Sequence, residues 1–303
     1  GSRTEYPGEI VAAYRQPGGR FSGHALFGAY EHLSQRWRWS GRYEEVAPDF
    51  RADLGFMPQV DRRYGKALVE RHWWAREGSW WTSARVGVDS SRTETRAGEL
   101  LERLDEVWIM LDGVRELDLF VQVSDRTRTF AGRRFEESLL EGRFGIRPTG
   151  ALSFGLYAMT GDEIDYAHAR PGEQVRLQPT LGLNLGRHLR AELSHSWQRL
   201  DVDPGRLFTA NLTELHLIWQ FNVRTFVRAI SQRSLVERDP ALYAFPVEAR
   251  SDRLFSQLLF SYKLNPQTVF FLGYSETGFG TAEIDRRREE RTLFVKLGYA
   301  LSL

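Results

Sequence analysis

Arginines and carboxylates recur at alternate positions along several stretches of this sequence, and they are the residues with most chemistry to offer. Arg36, Arg38 and Arg42 form one group, and Arg85 stands by itself. Glu116 with Asp118, Arg176, Arg190 with Glu192, and Glu214 complete the set. Side chains of both signs on the inner wall of a pore bias the passage of charged solutes. The same residues, paired with one another, would instead fill a lumen and close it. Another polar stretch, 47–62, contains Asp49, Arg51, Asp53, Gly55, Pro58 and Asp61. Gly55 and Pro58 break strand pairing, so the stretch reads as a loop. Folded inward it would constrict a pore; folded outward it would be an ordinary connection.

Enzymatic motifs are sparse. Ser194-His195-Ser196 brings a base next to two hydroxyls, but neighbours on a strand point to opposite faces. His168 lies close to Asp165 in a polar connection, a pairing that is common by chance. No phosphate-binding loop, His-Glu-x-x-His element or Asp-rich calcium loop is present. The sequence therefore indicates no catalytic residue, no metal site and no cofactor. A barrel hydrolase is carried only as the third of three functional readings.

Residues of this kind need a scaffold that presents alternate positions to one side, and the sequence has that period. In 174–185, Val175, Leu177, Pro179, Leu181, Leu183 and Leu185 fall on one face and Gln174, Arg176, Gln178, Thr180, Gly182 and Asn184 on the other. Leu189, Ala191, Leu193, His195 and Trp197 alternate in the same way with Arg190, Glu192, Ser194, Ser196 and Gln198. Leu117, Leu119, Val121 and Val123 do so with Glu116, Asp118, Gln122 and Ser124, with Phe120 as the exception. Trp37, Trp39 and Tyr43 alternate with Arg36, Arg38, Ser40 and Arg42.

Composition agrees with a sheet whose apolar face meets lipid. The 303 residues have a mean hydropathy of -0.43 yet are 13% aromatic. A helical membrane protein needs runs of about 20 apolar residues, and the longest runs, such as Val269-Phe270-Phe271-Leu272, fall far short. A membrane-spanning strand needs only alternate apolar positions. There is no cysteine, so disulfides and thiolate metal sites are excluded. The 41 basic residues, nearly all arginine, balance 40 acidic ones, which gives no general pull toward nucleic acid.

Tight breaks occur near 33–34, 77–78, 113–115, 147–150, 186–188, 222–225 and 265–267. Between them lie an early turn at 17–19 and longer polar connections at 47–62, 91–99, 130–134, 161–173, 201–206, 237–250 and 278–288. Short and long connections thus alternate, as in outer-membrane barrels with short periplasmic turns and longer external loops. The pattern predicts an all-β fold: one closed antiparallel transmembrane β-barrel domain of about 16 strands, with both termini periplasmic. Trp37, Trp39, Trp73, Trp74, Trp80 and Trp81 flank the breaks near 34 and 77, where an interfacial girdle is expected; stacking on glycans is the alternative use of these rings. The opening Gly1-Ser2 resembles the remnant of a cleaved expression tag, so an upstream segment is expected to have been removed.

The chain ends in an amphipathic strand, Thr292 to Leu303. Lys296, Gly298, Leu301 and Leu303 fit the spacing of an outer-membrane assembly signal, with Leu303 where many such signals have an aromatic residue. Asp49-Phe50-Arg-Ala-Asp-Leu-Gly55-Phe56-Met-Pro-Gln-Val-Asp61-Arg62-Arg63 resembles a hallmark segment of a bacterial barrel domain of unknown function. Arg253 to Pro266, with Thr268 to Tyr274, is similar to the C-terminal strands of the same family. The resemblance spans the chain but is sharp only in these segments. It implies an upstream periplasmic domain similar to carbohydrate-binding module family nine, and it supplies no catalytic residues. The expected partners are outer-membrane lipid and lipopolysaccharide, the barrel-assembly machinery and that upstream domain; nucleic acid is not among them. The expected function is porin-like passage of small polar solutes in a Gram-negative outer membrane. The alternative is a closed barrel that anchors or assists the upstream domain.

Overall fold

The computed structural model describes residues 22–50, 59–265 and 268–299. Apart from single 3-10 turns at Val114–Glu116 and Pro240–Leu242, its regular structure is β. The strands are β1 (Ala25–Leu33), β2 (Trp37–Val46), β3 (Arg62–Trp74), β4 (Trp81–Glu94), β5 (Leu100–Gly113), β6 (Leu117–Phe130), β7 (Arg133–Thr149), β8 (Leu152–Asp165), β9 (Arg170–Leu185), β10 (Leu189–Val202), β11 (Gly205–Asn222), β12 (Thr225–Arg238), β13 (Arg250–Asn265), β14 (Thr268–Thr281) and β15 (Arg287–Tyr299). They follow one another in sequence order through one sheet, and the registers described are antiparallel. Short turns allow this meander, because an antiparallel neighbour needs no crossover.

The described residues contain 15 strands, against about 16 expected. The early turn at 17–19, and any strand before it, lie outside the described residues. Among the described residues β1 has a partner strand on one side only, and so does β15.

The strands fall into two compact units. The first comprises Gly1–Glu77, Ser83–Met110 and Gln122–Ser138; the second comprises Gly78–Thr82, Leu111–Val121 and Leu139–Leu303. In the first, register places Arg38 opposite Glu70, Ser40 opposite Leu68 and Arg42 opposite Lys66. Lys66 is in turn opposite Ser91, and Leu68 opposite Asp89. Cross-strand partners share a face, so these residues form one polar surface. Trp37, Trp39, Val69, Val86 and Val88 occupy the other. In the second unit Gln178, Arg176 and Gln174 share a face with Tyr157, Met159 and Gly161 of β8 and with Gln198 and Leu200 of β10. Leu177, Leu181, Leu183, Leu193, Leu215, Leu217 and Leu258 lie on the opposite face.

One expectation is corrected. The polar connections at 130–134, 161–173 and 201–206 are mostly strand: β8 runs to Asp165, β9 starts at Arg170, and only 131–132 and 203–204 separate the other two pairs. The strict alternation of short and long connections therefore fails; at that end the long ones are 47–61 and 239–249. The physical reason is that backbone pairing does not stop where apolar residues stop. Charged cross-strand neighbours such as Arg128 and Glu137 sustain it.

Candidate functional site on the polar face

In the first unit the polar face is built from opposite charges that meet along and diagonally across the strands. Arg38 Nε donates to Glu31 at 2.7 Å. Arg42 Nε donates to Glu44 at 2.7 Å, and Arg62 reaches the same carboxylate at 2.8 Å. Lys66 Nζ lies 2.7 Å from the buried carboxylate of Asp89. The Trp108 indole N–H donates to Asp89 at 3.3 Å. Its ring occupies the space over Gly87, where any Cβ would collide with it. Gln122 donates to Glu106 at 2.7 Å. Near the end of β6, Arg128 grips the buried Glu137 through two hydrogen bonds of 2.6 and 2.7 Å. Such bidentate pairing fixes geometry as well as charge.

The second unit has a more neutral polar face. Arg176 donates to the amide oxygen of Gln198 at 3.2 Å, Gln178 to Ser196 at 3.1 Å, and Gln174 to Glu163 at 2.6 Å. Charge pairs persist toward the short-turn end. Arg143 donates to Asp118 at 2.9 Å, Arg147 to Glu116 at 2.9 Å, and Arg190 to Glu192 at 3.0 Å. Ser194 reaches Glu214 at 3.5 Å.

The proposed wall residues thus occupy polar-face positions within their own units. Arg38, Arg42 and Arg85 do so in the first, with Arg85 bonded to the Met110 sulfur. Asp118, Arg176, Arg190, Glu192 and Glu214 do so in the second. Arg36 and Glu116 sit at turns, where the Arg36 carbonyl accepts from His72 N–H at 2.8 Å. The expected wall residues do not include Lys66, Asp89, Glu106 and Trp108, and Gln122 enters only through its parity. Asp89 could have been found, since it stands four residues after Arg85 and shares its parity.

Of the expected constriction residues, Arg51, Asp53 and Gly55 lie outside the described residues. Asp49 lies in the part of that loop described after β2, which ends at Phe50. Asp61, with φ of 53°, accepts the backbone N–H of Arg96 at 3.3 Å. Another connection, 239–249, packs onto the polar face. Its Leu242 and Tyr243 cover the buried Leu200, Val202 and Leu207 together with Phe208. Arg170 ties the segment down, donating to Asp165 at 2.8 Å and to the Leu242 carbonyl at 2.7 Å. His168 Nδ1 lies 2.7 Å from Asp165, while its Nε2 accepts the Ala244 N–H at 2.8 Å. The His168 ring also stacks with Phe245. Burial holds the Tyr243 phenol above its ordinary range. The stretch 237–250 reads as a polar connection in the sequence, and nothing within it shows that Leu242 and Tyr243 pack on Leu200, Val202 and Leu207.

The Ser194-His195-Ser196 motif carries no nucleophile arrangement. His195 Nδ1 bonds to Thr213 at 2.8 Å, whereas Ser194 and Ser196 bond across the other face to Glu214 and Gln178. Among the described residues no cluster of His, Cys, Asp or Glu is arranged to hold a metal ion.

Of the tryptophans expected to form a girdle, Trp37, Trp39 and Trp73 share one face of β2 and β3, whereas Trp74 lies on the other. Trp39 stacks on His32 at 3.9 Å, and the Arg71 guanidinium lies over Trp37 at 4.8 Å and Trp73 at 5.5 Å. Of the terminal assembly signal, Lys296 pairs with Phe271 and Gly298 with Val269; Leu301 and Leu303 lie outside the described residues.

No family model matches the sequence, and no curated protein matches it. Several solved structures do. OmpT, an outer-membrane protein of Vibrio cholerae solved as a trimer, shares 9% identity over 91% of this chain and 99% of that one, with a TM-score of 0.39. Wzi is an Escherichia coli outer-membrane protein involved in group 1 capsule assembly and described as a carbohydrate-binding β-barrel. It shares 10% identity over 92% of this chain and 79% of that one, with a TM-score of 0.39. The translocator domain of the autotransporter NalP from Neisseria meningitidis shares 12% identity over 97% of this chain and 92% of that one, with a TM-score of 0.23.

Proposed function

We propose that this chain is a bacterial outer-membrane β-barrel of about 16 strands, with both ends of the chain periplasmic, that passes small polar solutes along its polar face. One observation carries the reading: large apolar side chains line one face of the strands and are exposed. Leu193 is 41% exposed, Leu258 50% and Leu293 71%. Exposed apolar surface of that extent marks contact with something apolar. A soluble sheet would bury it under a second layer; in a bilayer, lipid covers it at no cost. The face behind it holds arginines, carboxylates, amides and hydroxyls, many of them bonded to one another across the strands. Closure of the strands turns that face into a lumen, and 16 strands leave an aqueous channel. The docked segment 239–249 lies over part of this face and narrows the passage there.

The test is single-channel current from the purified chain in a planar bilayer. Discrete, stable steps are expected. Absence of current from protein shown to be folded and inserted overturns the conduit. The closed anchor for an upstream glycan-binding domain, which the family resemblance implies, would then stand.

A further inference from the structure

The apolar face of the second unit is not uniform. Between β11 and β14 it sinks into a groove of about 240 Å³. Its floor is made by side chains too short to fill the row, Ala229, Ser231 and Ser256, and its walls by Leu215, Leu217, Leu258 and Tyr274. Register shows how these meet. Leu217, Ala229, Leu258 and Tyr274 form one cross-strand row, and Leu215, Ser231, Ser256 and Glu276 the next.

Immediately beyond the second row, on the same face and toward the 239–249 end, stands a cluster of guanidinium groups. Asp252 is buried and surrounded by three of them. Arg233 bonds to it twice, at 3.0 and 2.8 Å, while Arg286 and Arg250 approach to 3.7 and 3.9 Å. Gly278 and Gly280 make this possible. A Cβ on Gly280 would lie 2.9 Å from the Arg286 backbone, and one on Gly278 would lie 3.4 Å from its side chain. Their bare backbone lets Arg286 lie across β14. Glu276 accepts from Tyr274 at 2.6 Å and holds Arg288 at 3.1 Å and Arg291 at 3.8 Å. Three guanidinium groups thus share the one carboxylate of Asp252, with Glu237 in register with Arg250, and two more share Glu276. Each of the five is at least one third exposed.

An apolar slot leading into surplus guanidinium groups is complementary to an amphiphile with a chain and an anionic head. We infer that β11–β15 carry a site for a phosphate-bearing lipid of the outer leaflet, with an acyl chain in the Ala229–Ser231–Ser256 groove and a head-group phosphate on Arg233 and Arg286. Guanidinium is the group suited to this, because its fork matches two phosphate oxygens at once. Asp252 holds the forks in place while leaving positive charge over. The site rests on the membrane reading, since it requires this face to meet lipid, but it is independent of whether the lumen conducts.

The experiment uses the whole chain in detergent, stripped of co-purified lipid and offered bis-phosphorylated lipid A, with retention read by native mass spectrometry. Stable retention of lipid A is expected, with phosphate-free lipid A held roughly tenfold more weakly and inorganic phosphate not held. Arg233→Ala with Arg286→Ala removes the head contacts, and Ser231→Trp fills the groove. Each should weaken retention roughly tenfold while leaving single-channel current unchanged. If Ser231→Trp fails to fold, Ser256→Leu fills the same floor with less bulk. Equal retention of phosphate-free lipid, undiminished retention in the arginine and groove variants, or binding of phosphate without a chain overturns the site. Flotation with vesicles separates the two levels: a chain that does not insert overturns the membrane reading and this site together, and one that inserts without selective retention overturns this site alone.

Discussion

The two units share a period of two but spend it differently. In the first, the polar face is a set of charge pairs: Lys66 with Asp89, Arg62 with Glu44, Arg128 with Glu137. In the second, its middle is a run of amides and hydroxyls, and Arg176 bonds to the neutral Gln198. The apolar faces differ too. In the second unit leucines follow row upon row. In the first, Gly41, Ala67 and Ser90 form one row, Ser90 bonds to Asp105 at 2.5 Å, and Arg103 pairs with Asp105 at 2.7 Å. Periodicity therefore says which residues share a face. What lies across the strand decides how much that face costs to disturb.

The largest expected effect tests the apolar faces. Leu217→Arg places a charge among the leucines of the second unit and should cost about 2–4 kcal/mol. Ala67→Arg in the first unit, beside Ser90, should cost less than about 1 kcal/mol. Urea midpoints in lipid vesicles give both values, and equal costs would erase the contrast. Next is the polar face. Asp89→Ala strands Lys66 and the Trp108 N–H and should cost about 2 kcal/mol, against about 1 kcal/mol for Gln178→Ala, because hydrogen bonds to charged groups are worth more. Denaturation in the same vesicles reads that ranking.

A smaller, functional difference concerns selectivity. Arg176→Glu should move the reversal potential toward cations more than Arg38→Glu does, since Arg38 already faces Glu31. Both shifts should shrink as salt rises toward 1 M and screening shortens. The smallest effect belongs to Tyr243. Its folded pKa is raised above the ordinary 10.0, chiefly by burial, so docking of 239–249 is fully supported below that value and lost as pH rises through the folded one. Protease cleavage within 239–249 should accordingly speed up above about pH 10; a flat rate would mean the phenol does not report on docking.

Much of this was legible from residue order. Leu177, Leu181, Leu193 and Gln174, Arg176, Gln178 fall on the faces their parity demands, and the breaks near 34, 77, 114, 150, 187 and 223 are turns. Three things were not. Strand ends were placed too early, because 161–173 and 201–206 are polar, and polarity does not separate a loop from a hydrogen-bonded strand standing in water. Cross-strand pairing was illegible, because Lys66 and Asp89 meet only through a register that a one-residue slip would invert. The docking of Leu242 and Tyr243 depends on Leu200, Val202 and Leu207, which come from other strands and cannot be inferred from 237–250 alone. Asp89, by contrast, follows from parity alone, since it stands four residues after Arg85 on the same face.

The extra length of the strands has a consequence for what a solute meets first. β11 is 18 residues long. At roughly 3.3 Å per residue and a tilt of about 40° it rises roughly 45 Å, against an apolar band about 25 Å tall. Seated in a bilayer, such a strand would extend roughly 20 Å beyond the apolar band. On the conduit reading, a molecule arriving from outside would meet this projecting polar wall before it reached the level of the membrane. The height of such a wall, as much as its width, would then set which molecules gain entry.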